Sequence, residues 1–152
     1  MANVIDVAEY FISLSKERTR FAITPLKLQK LLYYAQAFSL RDRKATLFTE
    51  EIEAWKHGPV VPKIYRRYKD YGYFTIPHKE FENKGLVIEE PKLTDDEIET
   101  ITEVWEQFGH LDGKFLEELT HQEDPWINTT INDVIEVQDI IDYFADEPAL
   151  NI

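Results

Sequence analysis

"ITPLKLQKLLYYAQAFSL" (residues 23–40) decides how this chain folds. Thr24 can cap a helix, and Pro25 suits the first helical position, where a missing N–H costs nothing. Leu28, Leu31, Leu32, Ala35 and Phe38 then recur at helical spacing on one face. The opposite face is not polar: Leu26, Tyr33 and Ala37 lie there, with Lys30 among them. A helix that is apolar on two sides is either central in its domain or keeps one face for a partner. We read it as central, since side chains of this kind are mostly interior.

Working outward, Val4, Val7, Ala8, Phe11 and Leu14 share one face of a helix expected over about residues 3–16, with Asn3 as cap and Asp6 in the first turn. On the other side, "RDRKATLF" (41–48) reads as a charged loop. "FTEEIEAWK" (48–56) alternates, Phe48, Ile52 and Ala54 against Glu51, Glu53 and Trp55, and predicts a short strand. Pro59 behind Gly58 stops it, and a helix is expected from about residue 59 to 71. That helix would turn Val61, Ile64, Tyr65, Tyr68 and Tyr71 inward and Lys63, Arg66, Arg67 and Lys69 mainly outward. "GLVIEEP" (85–91) offers a second strand that could pair with 50–56. Thr94 and Glu97 form a capping box, after which Ile98, Ile101, Trp105 and Phe108 line one face until Gly109. Asp112 can cap a short helix bearing Phe115, Leu116 and Leu119, and "THQEDPWIN" (120–128) breaks it. Val137, Ile140, Ile141 and Phe144 make the last amphipathic helix. The expected fold is mainly α (α+β): a compact helical domain over residues 1–152, with about five to six helices and a small two-stranded β element.

Composition narrows the function. With 152 residues, 43% hydrophobic and 13% aromatic, the chain can bury a self-sufficient core and still leave aromatic surface. It has no cysteine, which excludes disulfides, thiolate metal sites and cysteine nucleophiles. The N-terminus carries Asp6 and Glu9 and no basic region, so it does not read as a signal peptide; no run is long enough to span a membrane, and a cytoplasmic location is expected. Charge is divided: residues 1–79 carry 14 Lys and Arg against 8 Asp and Glu, a net +6, whereas residues 80–152 carry 3 against 21, a net −18. The acidic half repels phosphate and would suit a basic partner. The plain alternative is a set of solvated helix faces that aid solubility.

A catalytic or metal site is hard to assemble from these residues. His57, His78, His110 and His121 contain no i, i+4 pair of the kind a zinc-peptidase helix needs. His121, Glu123 and Asp124 carry suitable donor atoms, but three such residues in a proline-terminated loop are common by chance. There is no G-x-S-x-G, no phosphate-cradling glycine loop and no Rossmann fingerprint. No catalytic residue, cofactor or metal is therefore assigned. "KIYRRYK" (63–69) mixes Arg66 and Arg67 with tyrosines, as a nucleic-acid contact would, and stands as the rival reading. Protein binding fits better. The chain has 8 Tyr and 3 Trp, residue types that anchor interfaces. In "WKHGPVVP" (55–62), Pro59 and Pro62 restrict themselves and also Gly58 and Val61, so Trp55 and His57 sit on a stiff turn that would lose little entropy on binding. The same turn could equally be a corner with Trp55 buried; we place Trp55 towards the core and leave His57 open.

Three segments together resemble the Panacea domain family, also called SocA-like, of bacterial and phage-encoded antitoxins. They are "L-x-K-L-L-Y-Y" (Leu28, Lys30, Leu31, Tyr33, Tyr34), "E-A-W-x-x-G-P-V" (Glu53, Ala54, Trp55, Gly58, Pro59, Val60) with Tyr65 following, and "T-H-x-x-x-P-W" (His121, Pro125, Trp126). The resemblance implies a non-enzymatic domain that neutralises a cognate toxin by direct binding, with these residues as its marks. One member of the family is similar to a proteolytic adaptor, which makes a ClpXP-type protease an optional second partner. Carriage on prophages and mobile elements goes with the family, and no membrane partner is implied.

Overall fold

The computed structural model describes residues 1–78 and 92–145. Helix α2 (Pro25–Arg43) forms the axis, capped as expected by Thr24, whose side chain accepts from the Lys27 N–H. Every residue from Lys27 to Leu40 is buried. This resolves the two-sided apolar pattern in favour of a central helix. Against α2 pack α1 (Val4–Leu14), α3 (Pro62–Tyr68), α4 (Asp95–Phe108), α5 (Gly113–Thr120) and α7 (Val137–Phe144), as well as strand β2 (Gly58–Val60). The short α6 (Asp124–Ile127) lies against α7. Among the described residues, seven α-helices and one two-stranded antiparallel sheet make a mainly α fold with a small β element.

Local signals set most helix ends. Asn3 Oδ1 accepts from the Ile5 N–H at 2.9 Å, and Asp112 Oδ1 from the Phe115 N–H at 2.7 Å. At α4, Thr94 and Glu97 cap each other reciprocally, and three acids occupy the first turn beside the positive end of the helix dipole. The core is aromatic around the middle of α2. Tyr34 stacks on Phe108 at 4.2 Å between ring centroids, and Phe144 meets both Tyr33 and Tyr34 edge-on.

Several expectations need correction. Helix α2 does not end before "RDRKATLF": it continues to Arg43, and Lys44 ends it in the left-handed conformation (φ 58°). The extra turn is held by Arg41, which lies over the Phe38 ring and pairs with Glu103 of α4 at 2.9 Å. The strand at 53–55 is also not stopped by Pro59. Strand β1 (Glu53–Trp55) turns back at once and pairs antiparallel with β2, Glu53 opposite Val60 and Trp55 opposite Gly58. Helix α3 consequently starts at Pro62, three residues later than expected. The strand expected at "GLVIEEP" (85–91) lies outside the described residues. The other edge of β1 is covered by the segment before α7: Ala54 N–H donates to Asp133 O at 2.9 Å and Ile135 N–H to Ile52 O at 2.8 Å.

Candidate functional site

The β1–β2 hairpin is built on polar side chains that α2 sends through the core. Lys30 is completely buried, and its ammonium donates to the Pro59 carbonyl at 2.9 Å. Burial lowers its pKa to about 7, against a smaller opposing pull from Glu117. Gln29, one residue earlier, accepts from the Val61 N–H at 2.8 Å and donates to the Val61 carbonyl at 3.3 Å. Gly58 has φ +106°, a conformation that side chains rarely adopt. A Cβ there would also lie 2.7 Å from Lys30 Cε and 2.9 Å from Thr120 Oγ1. The glycine is thus required twice, once by the turn and once by the lysine beneath it.

One turn further along α2, Tyr34 donates its hydroxyl to Glu123 Oε2 at 2.9 Å. Burial raises the Tyr34 pKa well above its usual value, and Glu123 adds to the effect. Residues 30 and 34 share a helix face. Lys30 therefore fastens the hairpin while Tyr34 fastens the loop that carries His121, Pro125 and Trp126. Tyr33, wholly buried, belongs to the aromatic core rather than to a surface.

Above this support lies a mixed aromatic and charged face. Trp55 is half-buried rather than core; its ring meets Tyr65 edge-on at 4.9 Å, and its indole N–H donates to Glu53. Tyr65, expected inward, is 43% exposed. With α3 beginning at Pro62, Ile64 and Tyr68 take the buried positions, and Tyr65 falls at the edge of that face. Trp126 donates its indole N–H to the Trp55 carbonyl at 2.8 Å, and the His121 ring lies on Trp126 at 4.1 Å. Pro125 is buried at the start of α6.

His57, left open by the sequence, is exposed at the tip of the hairpin. Its Nδ1 lies 3.2 Å from Glu117 Oε1, while Lys114 Nζ donates to Glu117 Oε2 at 3.2 Å. Burial alone would raise the Glu117 pKa, but the hydrogen bonds from His57 and Lys114 outweigh it and hold it low. Lys30, Trp55, His57, Gly58, Pro59, Tyr65, His121, Pro125 and Trp126, from three distant segments, are therefore linked through the hairpin. Gln29, Glu117 and Thr120 complete the arrangement and were missed by sequence reasoning. A glutamine set among the apolar residues at the start of α2 was the available signal for the first.

Arg66 and Arg67 stand apart from this cluster. Arg66 is exposed on α3, whereas Arg67 is half-buried and pairs with Glu9 of α1 at 3.3 Å. Tyr68, the tyrosine between them and Lys69, is buried and cannot stack on a base. Among the described residues no group of three His, Cys, Asp or Glu is placed to hold a metal ion. No helix among them is long and apolar enough to cross a membrane.

The sequence pattern of the family described as "Antitoxin SocA-like, Panacea domain" matches residues 28–127, from the first turn of α2 to the end of α6. The chain belongs to that family of SocA-like antitoxins. It is 34% identical over 109 residues to Antitoxin SocA of Caulobacter vibrioides (strain NA1000 / CB15N), an alignment that takes in 68% of this chain and 58% of that protein. The chain thus spans less than two thirds of the length of this curated relative. No solved structure matches it.

Proposed function

We propose that this chain is the antitoxin of a toxin–antitoxin pair and silences a cognate toxin by binding it directly, with no chemistry of its own. The observation that carries the reading is the convergence of Trp55, His57, Tyr65, His121 and Trp126 on one face, supported from below by Lys30 and Tyr34. Aromatic side chains held half-exposed on a fixed frame supply interface area at little entropic cost. Membership of a SocA-like antitoxin family supports a toxin as the partner and the cytoplasm as the place of action. Of the segment 63–69 that carries the rival nucleic-acid reading, Arg67 is paired with Glu9 and Tyr68 is interior, while Tyr65 and Arg66 are exposed.

The experiment is co-expression with the products of the adjacent genes. One of them should arrest growth alone, grow normally with this chain, and lose that rescue when His57→Ala and Tyr65→Ala are combined. If every neighbour is harmless alone, the antitoxin reading fails. Delivery to a ClpXP-type protease would add to binding, and the toxin's half-life in protease-deficient cells reads it out.

A further inference from the structure

A second contact region lies beside the hairpin, where the approach to β1 faces the segment that opens α7. Thr46, residues 48–52, residues 134–138 and Ile140, with Gln36, line a groove of about 370 Å³. Its size falls within the ~300–1,000 Å³ typical of ligand-binding clefts. Its floor is apolar and interior: Phe48, Ile52 and Ile140 are all buried. Its rim pairs half-exposed aliphatics, Val134 (36%) and Val137 (42%), with Glu50, Glu51 and Glu136. No lysine or arginine is among the lining residues. Glu50 already has Lys63 at 3.6 Å from its Oε2, which leaves Glu51 and Glu136 as the exposed acids of the rim. The site combines exposed aliphatics with an acidic rim and no cation in its lining, and that combination matches one kind of occupant.

We propose that this groove receives a segment of the toxin that presents a Lys or Arg side chain flanked by apolar residues. Apolar neighbours would cover Val134 and Val137, while the cation would lie against Glu51 and Glu136 on the rim. The proposal rests on the antitoxin reading and names the part of the partner this region accepts. The groove adjoins the face described above, since Ile52, which lines it, leads within three residues to Trp55.

The test uses the full chain and two probes. The first is the blocked peptide Leu-Lys-Leu-Lys-Leu, titrated into isotope-labelled protein beside its glutamate counterpart. The lysine peptide should shift amide signals of residues 46–52 and 134–140 and the glutamate peptide should not; reversal with Glu51→Lys plus Glu136→Lys should exchange these preferences. Equal shifts from both peptides, or shifts confined elsewhere, overturn the groove. The second probe is the neutralised toxin from co-expression, whose affinity should fall at least ~10-fold in the charge-reversed protein at unchanged melting temperature. Full affinity in that variant overturns the groove and leaves the antitoxin reading standing. If no neighbour binds the wild-type chain, that reading falls, and the peptide titration decides the groove by itself.

Discussion

At the scale of single residues, Gly58 and Lys30 are two halves of one device. The lysine needs the Pro59 carbonyl, and the backbone can present it only by passing through a conformation with φ +106° directly against the lysine stem. Gly58→Ala should therefore cost about 2–4 kcal/mol in urea unfolding, from backbone strain and overpacking together. A loss below ~1 kcal/mol would show that the turn relaxes freely. Lys30 also imposes a pH dependence. Unfolded, it holds its proton up to about 10.5; folded, burial lowers its pKa to about 7. Between these values the unfolded chain binds more protons, so the fold gains stability as pH rises. The stability of wild type relative to Lys30→Met should accordingly rise between about pH 7 and 10.5, with a slope approaching ~1.4 kcal/mol per pH unit. A difference that does not change with pH contradicts a proton lost from this buried ammonium.

At the scale of elements, the structure depends on α2 acting as a donor and acceptor for loops, not only as apolar packing. Gln29 serves Val61, and Gln36 serves Leu47 and Phe48 in the same way. Gln29→Leu leaves the Val61 N–H buried and unpaired, while its carbonyl keeps Ile64 and Tyr65 as donors. The expected cost is about 1–3 kcal/mol, with faster hydrogen exchange at Val61 as the local signature. The same elements show what the sequence made legible. Helix starts at Asn3, Thr24, Thr94 and Asp112 were readable because a cap involves residues two or three apart. The centrality of α2 was readable because its apolar residues go all the way round. The hairpin was not. Gly58 and Pro59 signal a stop, and their pairing with β1 depends on Lys30 and Gln29, about thirty residues away. The outward turn of Tyr65 follows from that same late start of α3. The linked face was legible only as three separate motifs, since no spacing along the chain announces that Trp126 will reach the Trp55 carbonyl.

At the scale of the whole molecule, the division of charge survives folding in modified form. Arg41 and Arg43, at the end of α2, are drawn onto Glu103, Asp96 and Glu99 of α4. The Arg43 pairs, made to exposed carboxylates, add little stability. They leave most of the acids of residues 80–152 without a matching cation in their own half, which has 3 Lys and Arg against 21 Asp and Glu. A basic toxin would be steered by that field, so its association rate should fall by about tenfold between 0.05 and 0.5 M salt while dissociation changes little. A rate indifferent to salt removes steering from the account but not the contact itself. The contact is tested most directly by calorimetric titration of the purified chain with the toxin that it rescues in cells. A stoichiometric complex is expected, its affinity dropping at least ~10-fold with Tyr65→Ala at unchanged melting temperature. Neutralisation in cells with no complex in the calorimeter, or a complex insensitive to both Tyr65→Ala and His57→Ala, would contradict it.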